Sequence, residues 1–213
     1  MRWLFVMFLA MVSTAVRSEG IGEVLERSQQ VRLDSHPVVD AAAPSAIRIR
    51  QSFEAVLRGA GPLPFVELRV VSGAPLAETL QGRTIVVDES LAAAGEGERM
   101  FVLAHELGHV ALKHWPQMRN LYLAYIPGEV VQSHTDSIAA LLGYDASALA
   151  HKQEFEADLF AMRTLRRLGR PPEEFVQALM QEGVHGDTAT HPGTMKRVRS
   201  LRYAAAEDSD ASQ

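Results

Sequence analysis

His105 and His109 lie four residues apart, with Glu106 between them, in the segment His105-Glu106-Leu107-Gly108-His109. On a helix, residues four apart share a face, so both imidazoles can reach one ion. Glu106 points beside that face, where it can hold a water bound to the ion. Zinc lowers the pKa of such a water to about 7, and a neighbouring carboxylate can take its proton as general base. The pattern is H-E-x-x-H, and the chemistry it suits is metal-assisted hydrolysis of a peptide bond.

The bland alternative is a buried helix that happens to carry two histidines. Context weighs against it. Phe101, Val102, Leu103, Leu107, Val110, Ala111 and Leu112 make the segment apolar nearly all round, as in a helix buried mid-domain. Uncoordinated imidazoles and a free carboxylate are costly to bury there. Gly108 is unfavourable for a helix by up to ~1 kcal/mol relative to Ala. It makes sense where another element approaches closely.

An open catalytic site needs a third protein ligand. The candidate is Glu154, in Gln153-Glu154-Phe155-Glu156-Ala157-Asp158. Glu154 and Asp158 share a helix face that Ala157 and Ala161 keep small, so this helix can pack close to the His helix. Glu154 would bind the metal, and Asp158 would accept the second N–H of a ligand histidine and fix its tautomer. Alone, these acids would read as a solvated helix face. Beside the upstream motif they read as ligand and support. Glu156, offset from that face, is the runner-up ligand. His114, five beyond His109, points elsewhere on a continuous helix and reads as structural or exposed. His36, His134, His151 and His185 read as ordinary surface or loop residues.

The elements that must position these residues follow from pattern and punctuation. Residues 19–32 predict a short polar helix and 33–44 a linker. A helix runs from Ser45 to Arg58, ended by Gly59 and Gly61. Phe65–Val71 and Arg83–Asp88 are β-rich and predict two strands. The His helix spans Glu98–Trp115, stopped by Pro116. Residues 117–146 carry no clear pattern beyond a short helix near Ser137–Leu142. Ser147–Leu168 is a strong helix, closed by Gly169. Pro172 opens another that closes at Gly183. A loop holds His185 and His191, and a basic helix follows from Thr194 to Ala206. The expected fold is α+β and mainly α-helical, with a small antiparallel or mixed sheet beside the H-E-x-x-H helix.

Bulk composition narrows the class. The chain has 213 residues, 47% hydrophobic and 22% charged, enough for one ordinary globular domain. The formal net charge is -5 with no basic cluster, so nucleic-acid binding has no electrostatic support. There are no cysteines, so any metal is held by His and carboxylates. At the N-terminus, Arg2 precedes an uncharged run from Trp3 to Val16, apolar through Val12, with small residues at Ser13-Thr14-Ala15 and Val16-Arg17-Ser18. That is the layout of a secretory signal peptide, and the run is shorter than the ~20 residues a spanning helix needs. An uncleaved N-terminal anchor is the alternative. The expected division is a signal peptide at 1–18, an N-terminal helix and linker at 19–45, a catalytic domain at 46–206 and a disordered tail at 207–213.

With these residues assembled, the chain resembles the HtpX and CAAX prenyl protease family of gluzincin metallopeptidases. Ala104-His105-Glu106-Leu107-Gly108-His109-Val110, with His114, is similar to that family's first signature. Glu154-Phe155-Glu156-Ala157-Asp158 is similar to its second. Thr190-His191-Pro192-Gly193-Thr194-Met195-Lys196-Arg197 is similar to its third. The resemblance runs from about Ala46 to Leu201. It implies one zinc ion per chain on His105, His109 and Glu154, with Glu106 as base and Asp158 behind a ligand. It also implies that His191 and Arg197 lie over the site, to gate it or stabilise the tetrahedral oxyanion. The family's stretch before the catalytic helix includes an Asn-Ala segment leading to a substrate-pairing edge strand; here Ala74-Pro75-Leu76-Ala77-Glu78 stands in its place. The membrane-spanning helices of the integral-membrane members are missing, so the chain looks like a minimal periplasmic-type member.

The implied function is an exported zinc endopeptidase, periplasmic or secreted, that acts on protein or peptide substrates, with envelope quality control as the family's analogy. Two other readings compete. One is a zinc-holding, chaperone-like module with little proteolysis, which Glu106 argues against. The other is a regulatory peptidase of the ImmA/IrrE type, whose helix resembles Arg99-Met100-Phe101-Val102-Leu103-Ala104-His105; the signal segment and the His191–Arg197 stretch argue against that.

Overall fold

The computed structural model describes residues 19–181 and 183–210. The expected signal segment, residues 1–18, lies outside them. Among the described residues, no helix is long and apolar enough to cross a membrane.

Two helices open the chain, α1 (Ile21–Asp34) and α2 (Pro44–Ala60). Pro44 sits in the first turn of α2, where its missing N–H costs nothing. Ala46, Ile49, Phe53 and Val56 form its buried stripe, at the three- and four-residue spacing of one helix face. Ile47 lies off that stripe and faces solvent.

The sheet has three strands in the order β1 (Glu67–Val71), β3 (Thr84–Asp88), β2 (Ala77–Leu80). β3 is the buried centre, parallel to β1 and antiparallel to β2, so the sheet is mixed. β2 was not expected from sequence. It is only four residues long, and Glu78 and Thr79 give it little β pattern. A tight turn makes it: Gln81 and Gly82 have φ of 53° and 64°, and Arg83 N–H donates to Leu80 O at 3.2 Å. Two positive φ values in a row match the twist of a hairpin. The segment 74–78, which departs from the resembled family's sequence, thus still leads into an edge strand.

After a 3-10 turn at Glu89–Ala93, α3 (Glu96–Ala111) crosses the middle of the molecule. Every residue from Arg99 to Gly108 is buried. α3 ends before Trp115, where Lys113 adopts a left-handed conformation with φ 57°. Pro116 therefore sits in the first turn of the next helix, α4 (His114–Tyr125), rather than stopping the previous one. The two helices expected near 137–142 and 147–168 are one, α5 (Gln132–Arg167), 36 residues long and continuous through Gly143. α6 (Pro172–Gln181) and α7 (Thr194–Asp210) complete the fold. α7 continues past Ala206 into the stretch expected to be a tail.

One core joins these layers. Ile49 and Val56 of α2, Ile85 and Val87 of β3, Leu103 and Leu107 of α3, Met162 and Leu165 of α5, Phe175 of α6 and Leu201 of α7 are almost wholly buried within it. The α3–α5 contact is very close: a Cβ on Gly108 would stand 3.1 Å from Ala157 Cα and 3.3 Å from Phe160 Cβ. Glycine is present because a second helix lies against its bare backbone. That contact sets the distance between the His pair and Glu154.

Candidate active site

His105 and His109 project from the buried half of α3 toward Glu154 on α5. The two Nε2 atoms are 3.2 Å apart. His105 Nε2 lies 3.4 Å from Glu154 Oε2, and His109 Nε2 lies 3.4 Å from Glu154 Oε1. Among the described residues, these three form a group whose ligand atoms lie close enough together to hold a metal ion. Their spacing is informative. Donors bound tetrahedrally at zinc bond lengths of 2.0–2.1 Å stand roughly 3.3 Å from one another, which matches the separations here.

Hydrogen bonding points the same way. His105 Nδ1 is 2.9 Å from Asp158 Oδ1. Asp158 is fully buried and acts as acceptor, so the ring proton lies on Nδ1 and the Nε2 lone pair faces Glu154. Glu154 Oε2 is buried and makes no aligned hydrogen bond. Lone pairs and a carboxylate converge on one point, an arrangement that asks for a cation. Without a metal the cation is a proton. Burial opposes it, but Glu154 and Asp158 override burial and raise His105 to about 10. Burial would raise the Glu154 and Asp158 carboxyls; His105 and His109 beside Glu154, and Arg197 and His105 beside Asp158, instead hold both below the ordinary carboxylate range.

Arg197, from the first turn of α7, clamps Asp158 in a fork. Nε donates to Oδ2 at 2.8 Å and Nη2 to Oδ1 at 2.6 Å. Its Nη1 is 3.9 Å from Glu154 Oε2. The guanidinium is thus committed to Asp158, while its edge reaches the cavity wall.

Glu106 is buried beside the His pair. Thr79 Oγ1 lies 2.7 Å from its Oε2 and 2.9 Å from its backbone O. Thr79 is on the unexpected strand β2, so the edge of the sheet is tied to Glu106. Sequence reasoning missed Thr79 because it missed the strand.

His191 stands exposed at the mouth, its Nε2 3.8 Å from Glu154 Oε1. Its loop is held by Thr188, whose Oγ1 accepts from His191 N–H at 2.9 Å, and by Asp187, which accepts from Gly193 N–H at 2.7 Å. His151 Nε2 on α5, 2.7 Å from Thr188 O, ties the loop to the helix. His185, read from sequence as an ordinary loop residue, lines the cavity. That cavity has a volume of about 450 Å³, with Leu76, Phe101 and Val102 among its apolar walls.

The readings of Glu156 and His114 also change. Glu156 is not with the ligands; it faces His114 at 3.3 Å and Lys152 at 3.7 Å. His114 does not point elsewhere: it is buried, with Nδ1 2.9 Å from His109 Nδ1. The spacing argument assumed a continuous helix, and the break at Lys113 removes that assumption. Burial and the neighbouring His109 push His114 down to about 4, so its ring is neutral at neutral pH.

Comparison with protein families matches residues 67–205 to peptidase family M48, a span that contains the His pair, Glu154, Asp158, His191 and Arg197. No curated protein matches the chain.

Proposed function

This chain belongs to peptidase family M48, and on that premise we propose that it is a zinc endopeptidase of the HtpX-like type, exported and acting on protein substrates. Membership makes it a metallopeptidase. The observation that carries zinc is the convergence of two imidazole Nε2 atoms and an orphaned, buried Glu154 oxygen at tetrahedral spacing.

His105, His109 and Glu154 would hold the ion. When bound, zinc would supply a Lewis acid and lower the pKa of a water. Glu106 would act as general base toward the attacking water and as proton donor to the leaving amine. Thr79 holds Glu106 from the other side, so the base keeps its direction. Asp158 fixes the Nδ1–H tautomer of His105, and Arg197 fixes Asp158. Arg197 is therefore read as a positioning residue. At the mouth, Thr190 Oγ1 lies 2.8 Å from His191 Nδ1, which leaves Nε2–H turned toward the site. That N–H is read as a donor to the oxygen that gains charge as the carbonyl is attacked.

The peptide is read as adding to the outer edge of β2. Backbone pairing gives affinity with little demand on sequence, which suits broad specificity. The N-terminal run Trp3–Val16 supports export to the periplasm or beyond, and quality control of envelope proteins is the task the resemblance suggests.

Casein digestion by the purified protein tests this reading. Activity should disappear with a zinc chelator and return with stoichiometric zinc. A protein that binds zinc and never cleaves casein or unfolded envelope proteins would favour a zinc-holding module instead. Export has its own test: the cell-derived protein should begin near Val16 or Glu19, and an intact Met1 in the cytosol would defeat it.

A further inference from the structure

His114 is a buried titratable side chain to which the peptidase reading gives no task. Its place is built with some care. α3 ends with Lys113 N–H donating to Val110 O at 3.1 Å. Lys113 then takes a left-handed conformation that residues other than glycine rarely adopt. The turn folds the first residue of α4 back under the last turn of α3. Gln153, itself buried on α5, holds the backbone there, donating from Nε2 to His114 O at 3.1 Å.

The result is a contact between two rings. His114 Nδ1 is 2.9 Å from His109 Nδ1, with ring planes at 81°. Two imidazole nitrogens at that distance share one proton, so one donates and the other accepts. His109 turns its other nitrogen, Nε2, toward Glu154. If Nε2 is to offer a lone pair to a metal, the His109 proton lies on Nδ1 and donates to His114. The His114 proton then lies on Nε2, where Glu156 Oε2 is 3.3 Å away, close but not aligned for a hydrogen bond. The arrangement parallels the one at His105, whose Nδ1 is held by Asp158. Each histidine of the pair thus has a buried acceptor behind it.

We propose that His114 is a positioning residue for the metal. It fixes the tautomer and ring direction of His109, with Glu156 steadying the far side of its own ring. This rests on the reading that His109 is a ligand. Partners of this kind are worth 10–100-fold in metal affinity in other metal sites.

The test is zinc affinity of the full chain, measured by competition with a chromogenic chelator, for wild type, His114→Phe, His114→Asn and His109→Ala. The visible spectrum of the cobalt-substituted protein and the far-ultraviolet circular dichroism of the chelated protein are read alongside. His114→Phe keeps the ring volume and removes the acceptor. It should weaken zinc binding by about 10–100-fold and shift the cobalt bands, while the chelated fold stays unchanged. His114→Asn returns an oxygen acceptor near the lost Nδ1 and should recover most of the affinity. Wild-type affinity in His114→Phe overturns the proposal. So does a His114→Asn no tighter than His114→Phe, or loss of fold in both, since each leaves His114 a packing role only. If His109→Ala loses zinc while His114→Phe keeps it, this inference alone falls. If His109→Ala binds zinc like wild type, the metal reading falls with it.

Discussion

Asp158 Oδ1 lies 2.9 Å from Nδ1 of His105, a ring carried by a different helix 53 residues earlier. One contact joins the two motifs that define the site. Arg197 then fills the remaining lone pairs of the carboxylate from a third helix. Asp158→Asn keeps the shape and removes the charge. It should lower zinc affinity by about 10–100-fold, because the neutral amide is a weaker acceptor for His105 and its one oxygen cannot serve both His105 Nδ1–H and Arg197 Nε–H. Equilibrium dialysis against a zinc buffer measures this. Unchanged affinity would mean that Asp158 only anchors Arg197.

Gly108→Ala sets two effects against each other. Alanine gains up to ~1 kcal/mol of helix propensity. The new Cβ would stand 3.1 Å from the Ala157 backbone, which cannot yield without moving α5. Overpacking of this kind costs about 1–3 kcal/mol, so the net change should be destabilising. Widening the α3–α5 gap should also draw Glu154 from the His pair and weaken zinc. Urea unfolding and zinc titration read the two effects. A more stable variant with full affinity would contradict the tight contact.

The acid–base behaviour of the metal-free protein has a defined sign. His105 is raised from 6.5 to about 10, so its stabilisation is full below pH 6.5 and is lost as pH rises through 10. Glu154 and Asp158 are lowered from 4.5 and 3.8, so theirs is full above those values and is lost as pH falls. His114, lowered from 6.5 to about 4, costs stability as pH falls below 6.5, so with chelator present the melting temperature should be highest near pH 6.5. Zinc must displace the His105 proton, so calorimetry at pH 7.5 in buffers of different ionisation enthalpy should show at least one proton released per zinc. No release would contradict the charge state assigned to His105.

His191 offers a choice between two roles. As an oxyanion donor, its replacement by alanine should cut kcat by ~10²-fold with zinc content unchanged. Higher activity in His191→Ala would show that the ring blocks the site at rest. Wild-type activity would remove it from the site.

Much of this was legible in the sequence, for reasons that can be named. The convergence of His105, His109 and Glu154 was readable because helical periodicity places residues four apart on one face. Gly108 was readable because its helix cost demanded a neighbour, and Ala157 is that neighbour. β2 was hidden because a Gln81-Gly82 turn lacks the usual Asn-Gly or Asp-Gly signal; with β2 went Thr79 and its hold on Glu106. The full length of α5 was hidden because residues 117–146 carry no clear apolar pattern; Ile138 and Leu142 instead pack against α1 and α4. His114 was misplaced for a related reason: a left-handed lysine carries no mark in sequence, and the chain reverses there.

In the proposed mechanism Glu106 moves the proton while His105, His109 and Glu154 hold the metal. Glu106→Gln separates the two tasks, since the amide keeps the contact with Thr79 and cannot act as base. Zinc content and casein turnover should be measured on the same preparation. Glu106→Gln should hold one zinc per chain and turn over at least ~10²-fold more slowly. A Glu106→Gln protein that digests casein at the wild-type rate would contradict that mechanism.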